Sequence, residues 1–209
     1  MTDTMPERTI RLPHWGWILL ATAMLAVSVP ALSIWLPFHR EQQAIATIKS
    51  FARTVETKST EPEWLRPLLK KKPEKWPNVF ERVTKVNLAG GSITDAEFAY
   101  VGAFHELDML WANEAQITDN GLAHIRGLAH LESLWLDNTP ITDAGLMHLS
   151  QLTNLKRLSL SGTKITDVGL VHIAGLTKLE SLWLDQTQVS TDGLQRLEKA
   201  LPHCITLPP

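Results

Sequence analysis

One period governs this chain. A unit beginning at Leu110, LWANEAQITDNGLAHIRGLAHLES, is followed by one at Leu134, LWLDNTPITDAGLMHLSQLTNLKR, and one at Leu158, LSLSGTKITDVGLVHIAGLTKLES, each 24 residues after the last. A weaker unit begins at Val86 and a terminal one at Leu182, giving five units between 86 and about 205. A repeat this short cannot bury its own apolar face and must stack on copies of itself. The chain is therefore confined to a linear array.

Each unit reads as one strand followed by one helix. Leu134 and Leu136 flank Trp135, and strand alternation sends the leucines to the core and the tryptophan outward. Thr139, Thr163 and Thr187 follow the strands, where a hydroxyl can bond the turn backbone of a neighbouring rung. Ile141-Thr142-Asp143 then opens a helix that Thr142 or Asp143 can cap. Gly145 permits close packing, Leu146, Leu149 and Leu152 recur at helical spacing, and Leu155 leads to the next strand. Asp95, Asp119, Asp143 and Asp167 form a carboxylate row whose shared place at helix starts points to capping.

The pattern LxLxxTxITDxGLxxLxxLxxLxx resembles leucine-rich repeats of the 24-residue ITDxGL form. The whole layout is similar to small single-pass membrane proteins of planctomycetes, through Ala44-Ile45 to Ile48, the PEWLRPLL segment and the LPHC near the end. The repeat match covers about 120 of the 209 residues. The resemblance implies an α/β fold: a curved, right-handed solenoid of about five repeats used for protein binding, with no catalytic residue. Two units depart from the pattern. The first has Gly90-Gly91 and Phe98, and the last has Val189-Ser190-Thr191-Asp192, its Asp displaced by one place. Both are array ends, where atypical units are normal.

Ahead of the repeats, Trp15 to Phe38 is 24 residues without Asp, Glu, Lys or Arg. As a helix it spans about 36 Å, against a hydrocarbon core of about 30 Å. Trp15, Trp17 and Trp35 sit near its ends, where indoles favour the headgroup level. The expectation is a transmembrane helix over 15–38 after a tail of 1–14, kinked at Pro30 and retained as an anchor. The alternative is a cleaved signal peptide, with Ala31-Leu32-Ser33 at the cut. Arg8 and Arg11 lie on the N-terminal side; an N-in orientation puts the repeats on the extracytoplasmic side. Residues 39–82 read as juxtamembrane linker and N-terminal cap, and 83–209 as the solenoid with its C-terminal cap. In the linker, Ala44, Ile45, Ile48 and Phe51 form one apolar stripe, while Trp64, Leu65, Leu68, Leu69, Trp76 and Phe80 suit the capping task.

Composition removes several functions. The net charge is −2, without the basic face that a nucleic-acid partner requires. Lys70-Lys71-Lys72 lies among Glu61, Glu63 and Glu74 and reads as a solvated face. The single cysteine, Cys204, excludes an intramolecular disulfide and reads as a small apolar residue. No G-x-S-x-G, P-loop, H-E-x-x-H or paired-carboxylate setting is present, so neither enzyme nor cofactor is expected. His124, His148 and His172 share a column, but a straight ladder diverges where a zinc site must converge; no metal is expected.

The 24-residue period also lines up an outward strand column of Asn87, Trp111, Trp135, Ser159 and Trp183. Polar columns flank it: Asn113, Asp137, Ser161 and Asp185 on one side, Met109, Ser133, Arg157 and Ser181 on the other. An aromatic centre within a polar rim is the make-up of a binding face. Trp111, Asn113, Trp135, Asp137, Arg157, Trp183 and Asp185 are the candidate ligand-binding residues, on the concave face. The competing reading is that the rings pack on one another as cross-strand pairs. The expected function is a membrane-anchored scaffold for a protein or peptide partner. The alternatives are a self-associating structural envelope protein and an adaptor in protein turnover.

Overall fold

The computed structural model describes Leu36, residues 39–59 and residues 81–207. The expected membrane helix, apart from Leu36, and the cap candidates from Trp64 to Phe80 lie outside these residues. Among the described residues, no helix is long and apolar enough to cross a membrane. The chain divides into two units, Met1–His39 and Arg40–Pro209, and the array belongs wholly to the second.

A helix, α1, runs through residues 39–48. One sheet follows, with described strands β1 (Thr54–Ser59), β2 (Glu81–Asn87), β3 (Met109–Trp111), β4 (Ser133–Trp135), β5 (Arg157–Ser159), β6 (Ser181–Trp183) and β7 (Ile205–Leu207), side by side in chain order. β1 pairs antiparallel with β2, and every later pair is parallel. Helices α2 (Asp95–Phe98), α3 (Asp119–Leu122), α4 (Asp143–Leu146), α5 (Asp167–Ile173) and α6 (Thr191–Ala200) return the chain between strands. Strand-plus-helix units thus number five from β2 to α6, as the period implies, and β7 adds a half rung that the sequence reading lacked.

The register equals the period: Leu110, Leu134, Leu158 and Leu182 lie opposite one another, each fully buried. Ile117, Leu122, Ile125, Leu128 and Leu131 show how completely one unit supplies its inward set. Each such side chain contributes about 1.5–3 kcal/mol of burial, enough over several rungs to offset the ordering of short helices that would be unstable alone.

Each helix start is built by its neighbour. Thr94, Thr118, Thr142, Thr166 and Ser190 occupy the extended N-cap position. The following aspartate belongs to the helix and does not cap it, which corrects the capping role expected for that row. Asp119 reaches 23 residues ahead and accepts from both the amide (2.8 Å) and the hydroxyl (2.6 Å) of Thr142. Asp143 does the same to Thr166 (2.8 and 2.6 Å) and Asp167 to Ser190 (2.7 and 2.6 Å). Glycine follows the motif because a Cβ on Gly145 would collide with Asp119 Oδ1. Thr139 and Thr163 differ from expectation too: each hydroxyl donates to a carbonyl of its own rung, Leu136 (2.6 Å) and Leu160 (2.5 Å).

The N-terminal edge is covered by α1 and β1. Ala44, Ile45 and Ile48 are buried and Phe51 packs on the core, as the stripe predicts. Glu41, only 4% exposed, accepts the Val83 amide at 2.8 Å and lies 3.6 Å from Arg82. Burial is the main cause that raises its pKa above the ordinary carboxylate value, against the Val83 bond and Arg82.

Candidate functional site

The outward column lies where the period places it. Trp111 opposes Trp135, Trp135 opposes Ser159, and Ser159 opposes Trp183. The two adjoining indoles stack, centroids 5.0 Å apart and planes within 9°, close to the distance of about 4.8 Å between paired strands. All three tryptophans are half-buried, so each ring keeps an open part. Ring packing and exposure therefore coexist at Trp111 and Trp135. Trp183 has no stacked ring among the described residues. Ser159 is 5% exposed, its hydroxyl donating to Asp137.

The flank of Asn113, Asp137, Ser161 and Asp185 is itself a ladder. Asn113 Oδ1 accepts the Asp137 amide at 3.2 Å, Asp137 Oδ1 accepts the Ser161 amide at 3.0 Å, and Ser161 donates to Asp185 at 3.3 Å. Backbone bonds continue past the short strands, with Glu114 donating to Asp137 (2.8 Å) and Asn138 to Ser161 (2.8 Å). Asn113 and Asp137 thus spend one oxygen on the scaffold, which sequence columns alone could not reveal. On the other flank Arg157 Nε donates to Ser133 at 2.9 Å. All seven candidate residues fall on one sheet face, with the aspartates and Arg157 on opposite sides of the rings.

A second column escaped the sequence reading. Gly90, Glu114, Asn138, Gly162 and Gln186, 24 residues apart, all have φ between 55° and 69°. That left-handed turn lifts the chain away from each strand after the polar column. The glycines and Asn138 were its only signal, because glycine and asparagine adopt this conformation most readily.

The helical face carries a groove of about 510 Å³ between α5 and α6, with Val168 and Val171 exposed (68% and 73%) at its rim and Asp167 paired with Arg196 at 3.0 Å. It lies away from the tryptophan column. Hydrogen bonds from Ser190 are the main cause that holds the Asp167 carboxyl below its ordinary pKa. Cys204 is half-buried against the core, and burial pushes its thiol up to about 11. Among the described residues, no group of three or more His, Cys, Asp or Glu is arranged to hold a metal ion.

Residues 153–196 match the family model for leucine-rich repeats in two copies. Together with the stacked parallel strands, this makes the array a leucine-rich-repeat fold of α/β class. No curated protein matches the chain. Similar solved structures include an internalin from Listeria monocytogenes, 21% identical over 52% of this chain and 36% of that one, TM-score 0.38. Another is a leucine-rich-repeat protein of Leptospira interrogans, 24% identical over 60% of this chain and 37% of its own, TM-score 0.42. The matched part spans a little over a third of each of these proteins.

Proposed function

We propose that the chain is a membrane-anchored, non-catalytic scaffold that binds a protein or peptide through the outer face of its sheet. The observation that carries this reading is the stacked, half-exposed Trp111–Trp135 pair. Tryptophan is enriched at binding hot spots, and a scaffold already fixed by backbone ladders loses little freedom when a partner docks. Leucine-rich repeats, the family matched at 153–196, commonly serve protein–protein interaction. The anchor in this reading is the charge-free run 15–38, and the repeats face the extracytoplasmic side.

The test is capture of partners from source-cell extracts by the full-length chain in a neutral detergent, beside a variant with Trp111→Ala, Trp135→Ala and Trp183→Ala. A partner retained by the wild type and lost by a variant of unchanged circular dichroism is the expected result. Equal capture by both removes the sheet face as the site. A second reading, self-association, is favoured by β7, an edge strand with Ile205 and Leu207 exposed (67% and 39%), since open edges template strand pairing. A monomer in sedimentation at micromolar concentration removes it.

A further inference from the structure

We propose that the outer sheet face accepts an extended cationic peptide, with two arginines or lysines three residues apart seated on Trp135–Asp137 and Trp183–Asp185. This rests on the protein-binding reading above and narrows it to a class of ligand.

The same triplet occurs in two rungs, Trp135-Leu136-Asp137 and Trp183-Leu184-Asp185. Leu136 and Leu184 are fully buried, so alternation turns both tryptophan and aspartate outward, about 6.6 Å apart along the strand. An indole face beside a carboxylate joins the two features that hold a guanidinium or ammonium group, the ring quadrupole and a charge-assisted acceptor.

The charge on that flank is uncompensated. The ion pairs among the described residues engage Glu41, Glu56, Glu132 and Asp167, and neither Asp137 nor Asp185. Glu114 adds a third carboxylate beside them without a cation. Arg157 sits across the rings, held at Ser133, and repels a second cation from that side. Trp135 is stacked by Trp111 on one side only, and its next neighbour in register is Ser159, which carries no ring.

Spacing selects the conformation. The triplets are two strand steps apart, about 9.6 Å. Three residues of polyproline II advance about 9.3 Å and return the side chain to the same face. Three residues of a β-strand advance a similar distance but put the side chain on the opposite face. A polyproline-II segment with cations at i and i+3 therefore fits both the length and the facing of the site.

The test is tryptophan fluorescence titration of the full-length chain in neutral detergent with the capped peptide Ala-Arg-Pro-Pro-Arg-Ala. Comparison peptides carry adjacent arginines, glutamine for arginine, or glutamate for arginine. Saturable binding, about tenfold weaker for each comparison peptide and weakened by added salt, is expected. An Asp137→Asn, Asp185→Asn double variant should lose a similar factor; asparagine keeps an oxygen for the Ser161 bonds, and a thermal melt confirms the fold. Equal affinity for the glutamate peptide, or for adjacent and spaced arginines, overturns the proposal. No binding to any peptide also overturns it. If a partner is still captured in a tryptophan-dependent way, the scaffold reading survives; if none is, both fall.

Discussion

At the residue scale, the ITDxG signature is a joint between rungs. Threonine supplies an amide and a hydroxyl, the preceding rung's aspartate accepts both, and glycine leaves room for that carboxylate. Asp119→Ala leaves the Thr142 amide without its acceptor, and such a loss costs about 1–3 kcal/mol. Gly145→Ala drives a methyl group into the carboxylate, at about 1–3 kcal/mol of overpacking. Because the two changes act on one contact, the double variant should be more stable than the sum of the single costs by at least about 0.5 kcal/mol. Urea unfolding of the four proteins checks this, and simple additivity would show that the glycine serves another purpose. The period reveals that Asp119 and Thr142 recur together; it does not say that the bond crosses to the next unit, because a column carries no direction. The array ends make the rule visible. Glu97 stands at the glycine position of the first unit and accepts the Thr94 amide at 2.9 Å, where no earlier rung supplies a carboxylate. Thr191 stands at the aspartate position of the last unit, where no later rung needs one.

At the scale of elements, the N-terminal edge shows what a pattern can and cannot carry. The stripe of Ala44, Ile45 and Ile48 was legible because helical contacts are local. β1 was not: TVETKS has one large apolar residue, and its partner β2 lies more than twenty residues on. Glu41 joins this edge to the array through the Val83 amide. Its folded pKa is raised above the unfolded value of 4.5, chiefly by burial. The stabilisation that it contributes by protonation is therefore fully present below pH 4.5 and lost as pH rises through the folded pKa. Glu41→Gln keeps the acceptor and cannot ionise. Its stability relative to wild type should rise between pH 4 and pH 7, whereas Glu41→Ala should lose about 1–3 kcal/mol throughout by orphaning the amide. Chemical denaturation at the two pH values measures both. A glutamine variant that loses ground as pH rises would mean that the Arg82 pair outweighs the cost of burial.

At the scale of the whole molecule, stability in a stacked array is a sum of rungs and nearest-neighbour contacts, so the terminal rungs, with one neighbour each, should open most readily. The five-unit register and the tryptophan column were legible because one period fixes both. The left-handed turn column was not, because Glu114 and Gln186 occupy it as readily as Gly90 and Gly162. The C-terminal rung contains its own reporter. Cys204 packs against the core beside β7, and its thiol is raised by burial to about 11 from an ordinary 9.0. Thiolate is the reacting species, and two pKa units correspond to about a hundredfold less of it at a given pH. Iodoacetamide at pH 8 should therefore label the folded chain about a hundredfold more slowly than the chain in denaturant. Because the last rung opens before the array unfolds, labelling in rising urea should accelerate at concentrations where the circular dichroism of the helices has not yet changed. Labelling that follows the dichroism transition point for point would instead show the array unfolding as one unit, with the last rung bound as tightly as the middle.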